Sequence, residues 1–392
     1  MLLSVDGLRP AVYRAPETRH RFPNLNALEP AGASAEAVES IYPTTTYPAH
    51  ATIVTGLPPR AHGIYSHLAS LDPTEKARPW CWFARTLRAP TLWDVARASG
   101  RRTAAISWPV SAGAAIHHNI PEIWDPAVPD PHRDFETPAR HATPGLFAEV
   151  AAVVMPMLGK ADPDQMRGEA ALYLWSHYRP DLLMVHFVWY DSQAHAYGPE
   201  SEPALAALES ADKEIGRIRD AISGDAEATL VVLSDHGFVA VEKEVAPLAV
   251  FAEEGLFAHG ADGSLSLLRL GAVSAGGSLA VYWLEKPSSD DQRRLENAVE
   301  RVRAMGAVEE VVDRHKLAAL GADPDAELML EAAPGFSFSD RLEGPVVSDT
   351  SKDHGTHGYF PSHAGMEAMF TAVGREIAPG RLSILHLIMN DC

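Results

Sequence analysis

Four separated stretches carry side chains suited to holding cations. Asp6 closes the apolar run LLSVD; Asp191 and His195 share WYDSQAHAYGPES; Asp235 and His236 follow another apolar run in LSDHGF; His354 and His357 lie in KDHGTHGYF. Any one alone is an ordinary turn residue or helix cap. Together they put three aspartates and two or three histidines at predicted strand ends. With no cysteine among them, this donor set suits Zn2+, with Mn2+ or another divalent ion the alternative. Six ligands exceed what one tetrahedral catalytic ion uses and suit two ions, roughly 3.5–4 Å apart, each with an open position. Asp191-x3-His195, before a Gly-Pro turn, predicts two ligands on one short loop.

A second kind of chemistry lies in YPTTTYPAHATIVTGL, residues 42–57, where Thr44, Thr45 and Thr46 stand between two prolines ahead of an apolar helix. A threonine hydroxyl is a poor nucleophile unless a base or a metal takes its proton. Pro48 disfavours helical geometry at Tyr47, so the helix is expected to begin about there, with Thr46 at its entrance. Unpaired N–H groups and the helix dipole favour an anion at that point. Simple capping by the three hydroxyls is the alternative; beside a two-metal cluster, Thr46 reads as the nucleophile.

These residues need a scaffold that brings distant strand ends together. Strands are predicted at 2–6, 102–107, 181–189, 229–235 and 369–374, with helical patterns at 90–100, 144–159, 163–178 and 203–222. In the last, Leu205, Leu208, Ile215, Ile218 and Ile222 fall on one face. Such alternation predicts an α/β fold, a parallel sheet covered on both sides. Ligands in such folds bind outside the carboxyl ends of the strands. Between 242 and 350 the pattern changes to a small α+β unit, expected to be an insertion acting as a cap; 1–241 and 351–392 would form the core.

The net charge of −19 excludes a protein that coats a nucleic-acid backbone, though bound cations can still receive a small anionic substrate. Cys81 and Cys392, the two cysteines, give neither a disulfide framework nor a thiolate metal motif. No apolar run reaches the ~20 residues of a membrane span. The opening MLLSVDGLRP shows no basic n-region and no long h-region. The sequence as it stands is expected in the cytoplasm; export would require a leader ahead of the first strand.

The pieces SVDGLRP, YPTTTYPAHATIVTGLPPRAHGI, DSQAHAYGP, LSDHGF and HGTHGYFP with MEAMFTAVG occur in an order that resembles the alkaline phosphatase superfamily, most closely its nucleotide pyrophosphatase/phosphodiesterase branch. The resemblance implies an α/β/α sandwich with a mostly parallel central sheet and a small α+β insertion. It implies two zinc ions, one on Asp6, Asp235 and His236 beside the nucleophile Thr46, the other on Asp191, His195 and His357. The THGY motif selects His357 over His354. The implied reaction is in-line displacement at phosphorus through a phospho-threonine, on a small phosphorylated substrate with nucleotides among the candidates.

Two positions depart from that branch. His67 stands where an asparagine commonly contacts a phosphoryl oxygen, and His186 where an aromatic often packs against a base. His67 is a candidate donor in its place, and Tyr47 keeps an aromatic that could stack. A phosphomonoesterase or phosphonate-ester hydrolase of the same superfamily stays open, with Arg60 or Arg78 as a dianion clamp. A sulfatase would need a C-x-P-x-R motif, which WCWFAR around Cys81 does not supply. From another class, a catalytically silent metal-bound domain would only bind phosphorylated ligands.

Overall fold

The computed structural model describes residues 1–75, 77–259, 265–350 and 353–386; Cys392 lies outside them. Its principal strands are, in chain order, β1 (Leu2–Val5), β2 (Ala33–Glu39), β3 (Thr103–Ile106), β4 (His118–Ile120), β5 (Leu182–Phe187) and β6 (Leu230–Leu233). Next come β7 (Leu270–Ser274), β8 (Ser278–Trp283), β9 (Val308–Asp313) and β10 (Leu328–Ala332), then β11 (Phe370–Val373) and β12 (Gly380–His386). The helices that matter for function are α1 (Thr46–Thr55), α2 (Leu146–Val154), α3 (Pro163–Tyr178), α4 (Trp189–Tyr197), α5 (Glu202–Ile222) and α6 (Ser289–Ala304).

The central sheet runs β12-β2-β11-β6-β1-β5-β3-β4. β1 pairs in parallel with both β5 and β6, while β11 pairs antiparallel with β2 and β6. All four residues of β1 are buried, as a central strand covered on both faces requires. Alternate residues divide between two cores. Leu3, Val5, Leu183 and Val185 pack with α2, α3 and α5, whereas Leu2, Met184 and Leu233 pack with Val54 of α1 on the opposite face. The predicted sandwich is therefore present. β2, β4 and β12 join the predicted strands.

The direction of β11 has a consequence for the site. Because it is antiparallel, the residues before it, not those after it, reach the carboxyl edge where β1, β5 and β6 end. That reversal is how the segment around His357 arrives beside Asp6 and Asp235.

Between β6 and β11 the chain builds a second, antiparallel sheet of order β7-β8-β10-β9. Leu295, Val299 and Val302 of α6 pack there with Leu279, Val281 and Leu330. Glu331 of β10 ties this sheet to the nucleophile segment: it accepts from the Tyr42 hydroxyl at 3.0 Å and from the Phe360 N–H at 2.6 Å. Burial, against those two hydrogen bonds, pushes its carboxyl up from 4.5 to about 8. The native state thus keeps a proton that the unfolded chain releases above its lower pKa. Stability contributed by this group is full below that value and is lost as pH rises through the native one. Urea midpoints are expected to fall between about pH 5 and pH 8, by up to a few kcal/mol in unfolding free energy, and Glu331→Gln should flatten that slope. An unchanged slope in the variant would assign it to other groups.

Candidate metal and nucleophile site

Gly7 makes the turn after β1 possible. Its φ is +70°, and a Cβ there would lie 2.8 Å from Phe238 and 3.5 Å from Asp191 Oδ1. The Gly7 N–H instead donates to Asp235 Oδ1 at 3.1 Å, joining the ends of β1 and β6. Asp191 and His195 lie one turn apart on α4, not on a loop as expected, so both face the same side by helical spacing. The start of α4 is held by Asp164 of α3, which accepts from the N–H groups of Val188 and Trp189 at 3.0 Å each.

Six of the predicted side chains gather in two trios. In each, one ligand atom per residue lies within 4.8 Å of the others: Asp6, Asp235 and His236, all buried, and Asp191, His195 and His357. The trios adjoin, since the His236 and His357 rings stack at 4.0 Å. Thr46, the first residue of α1, places its Oγ1 3.3 Å from His236 Nε2. His354 is exposed and reaches the site only through its backbone N–H, which donates to the His195 carbonyl at 2.7 Å.

The threonines divide their work. The Thr44 hydroxyl donates to the Tyr359 carbonyl at 3.0 Å and accepts from the Gly358 N–H at 3.1 Å, pinning the loop that bears His357. Thr45 occupies the N-cap position without a side-chain cap. The run therefore does not serve as a set of caps, and Thr46 is left facing the trios.

The residues fit divalent cations on two counts. Each histidine of the trios directs Nδ1 at a backbone carbonyl: His195 at Gly355 (3.1 Å), His236 at Gly237 (2.9 Å) and His357 at Thr44 (3.1 Å). A carbonyl only accepts, so Nδ1 carries a proton and Nε2 is the atom turned to the carboxylates of the site. In addition, Asp6 Oδ1, Asp191 Oδ1 and Asp235 Oδ2 are buried with no hydrogen-bond partner. Buried carboxylate oxygens are rarely left so without an ion to meet them. Burial and the neighbouring carboxylates of Asp235 and Asp191 raise the Asp6 pKa well above its usual range. Burial likewise raises that of Asp191, despite the nearby histidines. At Asp235, burial is outweighed by His236, His50 and His186, and the carboxyl is held low.

Behind Asp6 runs a buried polar chain. Ser4 of β1 pairs with His186 of β5, so His186 shares the sheet face of Asp6. Its Nε2 lies 3.1 Å from Asp6 Oδ2 and its Nδ1 2.9 Å from Glu122 Oε2, while the Tyr47 hydroxyl donates to Glu122 Oε1 at 2.9 Å. Burial alone would lower the His186 pKa, but Glu122 and Asp6 raise it to about 10. Tyr47 is thus fully buried behind the site, corrected from the stacking role expected of it, because Glu122 offers its hydroxyl a partner inside the protein. Glu122→Gln should loosen Asp6 and weaken zinc binding roughly 10- to 100-fold in a competitive chelator titration. Unaltered affinity would make the chain merely structural.

Sequence reasoning missed Glu122, which sits after a three-residue strand with no motif around it, and the aromatics Trp80, Trp124 and Phe135. These line a cleft of about 710 Å3 that also contains Asp6, Thr46, Asp191, His195, His357 and His67. Arg60 donates to the Ala318 carbonyl and Arg78 to the Ala272 carbonyl and Asp340; neither lines this cleft. Among its described lining residues Arg167 is the only arginine or lysine, and it is engaged by Asp164 at 2.9 Å and Ser107 at 3.2 Å.

Residues 1–360 match the type I phosphodiesterase / nucleotide pyrophosphatase family. The chain belongs to that family. Metal dependence is a property of this phosphodiesterase family, and the two trios are its candidate metal-binding groups here. The chain is 28% identical over 249 residues to ectonucleotide pyrophosphatase/phosphodiesterase family member 3 of Mus musculus, covering 60% of this chain and 24% of that one. It is 26% identical over 252 residues to venom phosphodiesterase 2 of Crotalus adamanteus, covering 60% and 26%. It therefore spans about a quarter of the length of the curated phosphodiesterase relatives it matches. Two solved structures share the fold. One is murine ectonucleotide pyrophosphatase/phosphodiesterase 5, in an inactive threonine-to-alanine form with AMP (TM-score 0.64, 16% identity, 98% of this chain and 91% of that one). The other is phosphonoacetate hydrolase from Sinorhizobium meliloti with phosphonoacetate (TM-score 0.66, 17% identity, 96% and 90%). No helix among the described residues is long and apolar enough to cross a membrane.

Proposed function

We propose that this chain hydrolyses phosphodiesters, with Thr46 as nucleophile between two cation sites, one on Asp6, Asp235 and His236 and the other on Asp191, His195 and His357. The observation that carries this reading is the set of three unpartnered carboxylate oxygens, on Asp6 and Asp191, which line the cleft with Thr46, and on Asp235 buried beside them. Two Zn2+, or Mn2+ in their place, would supply Lewis acidity that eases loss of the alcohol proton and neutralises charge on phosphoryl oxygens.

Thr46 Oγ1, its proton passed to solvent water, attacks phosphorus in line. The bond from phosphorus to the leaving oxygen breaks, and its electron pair departs with that oxygen. Thr46 is then a phosphoester. Water attacks the same phosphorus from the side the leaving group vacated, and Thr46 is released as the alcohol. The uncapped start of α1 favours the negative charge throughout. His67, whose pKa burial and then Arg78 and His195 lower to about 4, stands neutral and donates one hydrogen bond to a phosphoryl oxygen.

A diester fits better than a monoester. A dianion calls for a clamp of free positive charge, and the described cleft residues offer only the engaged Arg167. The relatives' names and the AMP-bound neighbour support a nucleotide as one candidate substrate. We read 242–350 as a unit inserted in a core of 1–241 and 351–392; its Ser274, Gly276 and Ser337 are among the residues that line the cleft. The test is a screen of the zinc-loaded protein on bis-p-nitrophenyl phosphate, p-nitrophenyl phosphate, p-nitrophenyl sulfate and a phenylphosphonate ester. The diester should turn over fastest. Faster turnover of another ester would replace this reading, and turnover of none would leave a silent binding domain.

A further inference from the structure

The cleft wall is drawn from separate segments of the chain. The 242–350 segment contributes Ser274, Ala275, Gly276, Ser337, Phe338 and Ser339. α2 and α3, packed in one core, add apolar side chains. α2 and the residue after it contribute Phe147, Ala151, Val154 and Met155, and α3 contributes Met166 and Ala170.

α2, LFAEVAAVV, has Glu149 as its one charged residue. Leu146 and Val150 are buried in the core, Phe147 and Val154 pack against that same core, and Val150 also reaches the cleft. Phe147, Ala151 and Val154 are only half-buried and line the cleft, and Met155 is 36% exposed. Part of this apolar face is left open on the cleft that holds Thr46, and continuity with that cleft makes its occupant a part of the substrate. Charge points the same way. The acidic side chains of Glu122, Asp134 and Glu244 line the cleft, and Arg167 is already engaged, so an arm with further negative charge would meet no free counter-charge among the described residues.

We infer that the substrate is a phosphodiester bearing an alkyl arm that lies against α2 and α3, an inference that rests on the diesterase reading above. Phosphorus sits at Thr46, the alkyl arm lies along the α2–α3 wall, and the other substituent takes the rest of the cleft.

The experiment is a kinetic series of p-nitrophenyl alkyl phosphodiesters, methyl to hexyl, on the zinc-loaded full chain, with thymidine 5'-p-nitrophenyl phosphate as comparator. Burial of one methylene corresponds to roughly a fourfold gain in binding. The hexyl-to-methyl ratio of kcat/KM should therefore reach about tenfold or more, even with partial burial. Ala151→Trp, which fills the lobe, and Val154→Asn, which wets it, should each bring that ratio close to one. Because the ratio is taken within one protein, it does not depend on how much of a variant folds. A flat series in the wild-type protein, an unchanged ratio in both variants, or the nucleotide ester exceeding the hexyl ester would each overturn the inference while leaving the diesterase reading intact. Turnover of no ester would overturn both.

Discussion

Thr46→Ala is expected to lower kcat on a phosphodiester by on the order of 10^4-fold or more, the scale seen when a nucleophile is removed from a preorganised site. Folding and cation binding should survive. The Thr46 hydroxyl contacts His236 Nε2 at 3.3 Å, and the start of α1 does not rely on a side-chain cap. Metal analysis should still find two ions per chain. Thr44→Ala offers the contrast: it removes a buried hydroxyl with partners at the Tyr359 carbonyl and the Gly358 N–H. Its cost should fall first on stability, about 1–3 kcal/mol, with turnover surviving in the fraction that folds. Full activity in Thr46→Ala would remove the nucleophile from the account.

Removing the cations should be nearly as damaging. Exhaustive chelation is expected to bring turnover to background and zinc to restore it, with Mn2+ restoring a part. The electrostatics also demand a loss of stability. Asp6, Asp191 and Asp235 crowd together with their inner oxygens unpartnered, and a bound cation is what relieves that repulsion. By mass action, each ion held at a thousandfold excess over its dissociation constant adds about 4 kcal/mol to unfolding. Thermal midpoints should therefore rise as zinc is titrated back, in step with activity. Unimpaired turnover by the metal-free protein would contradict the reading.

The parts of this molecule that were legible in its sequence are those governed by local chemistry. Strands such as LLSV announce themselves because burial on both faces requires an unbroken apolar run. α5 is legible because its buried residues recur at the helical period. Asp6, Asp191, Asp235 and His236 could be read from strand ends, since topology sends such positions to one edge. What was not legible depends on tertiary direction and register. The antiparallel course of β11 cannot be seen in MFTAVG, yet it brings His357 to the site. Asp191 and His195 looked like a loop pair because the Gly-Pro that follows is a turn signal, while the helix start is fixed by Asp164 from another element. Tyr47 was misjudged for the same reason: an aromatic beside a nucleophile suggests stacking, but Glu122, distant in sequence, draws its hydroxyl inward.

Anomalous diffraction at the zinc edge, on crystals of the metal-loaded protein, bears most directly on the paired centre. It should reveal two peaks in one cleft, one among Asp6, Asp235 and His236, one among Asp191, His195 and His357, with Thr46 Oγ1 beside them. A single peak, or two lying away from these residues, would contradict the account.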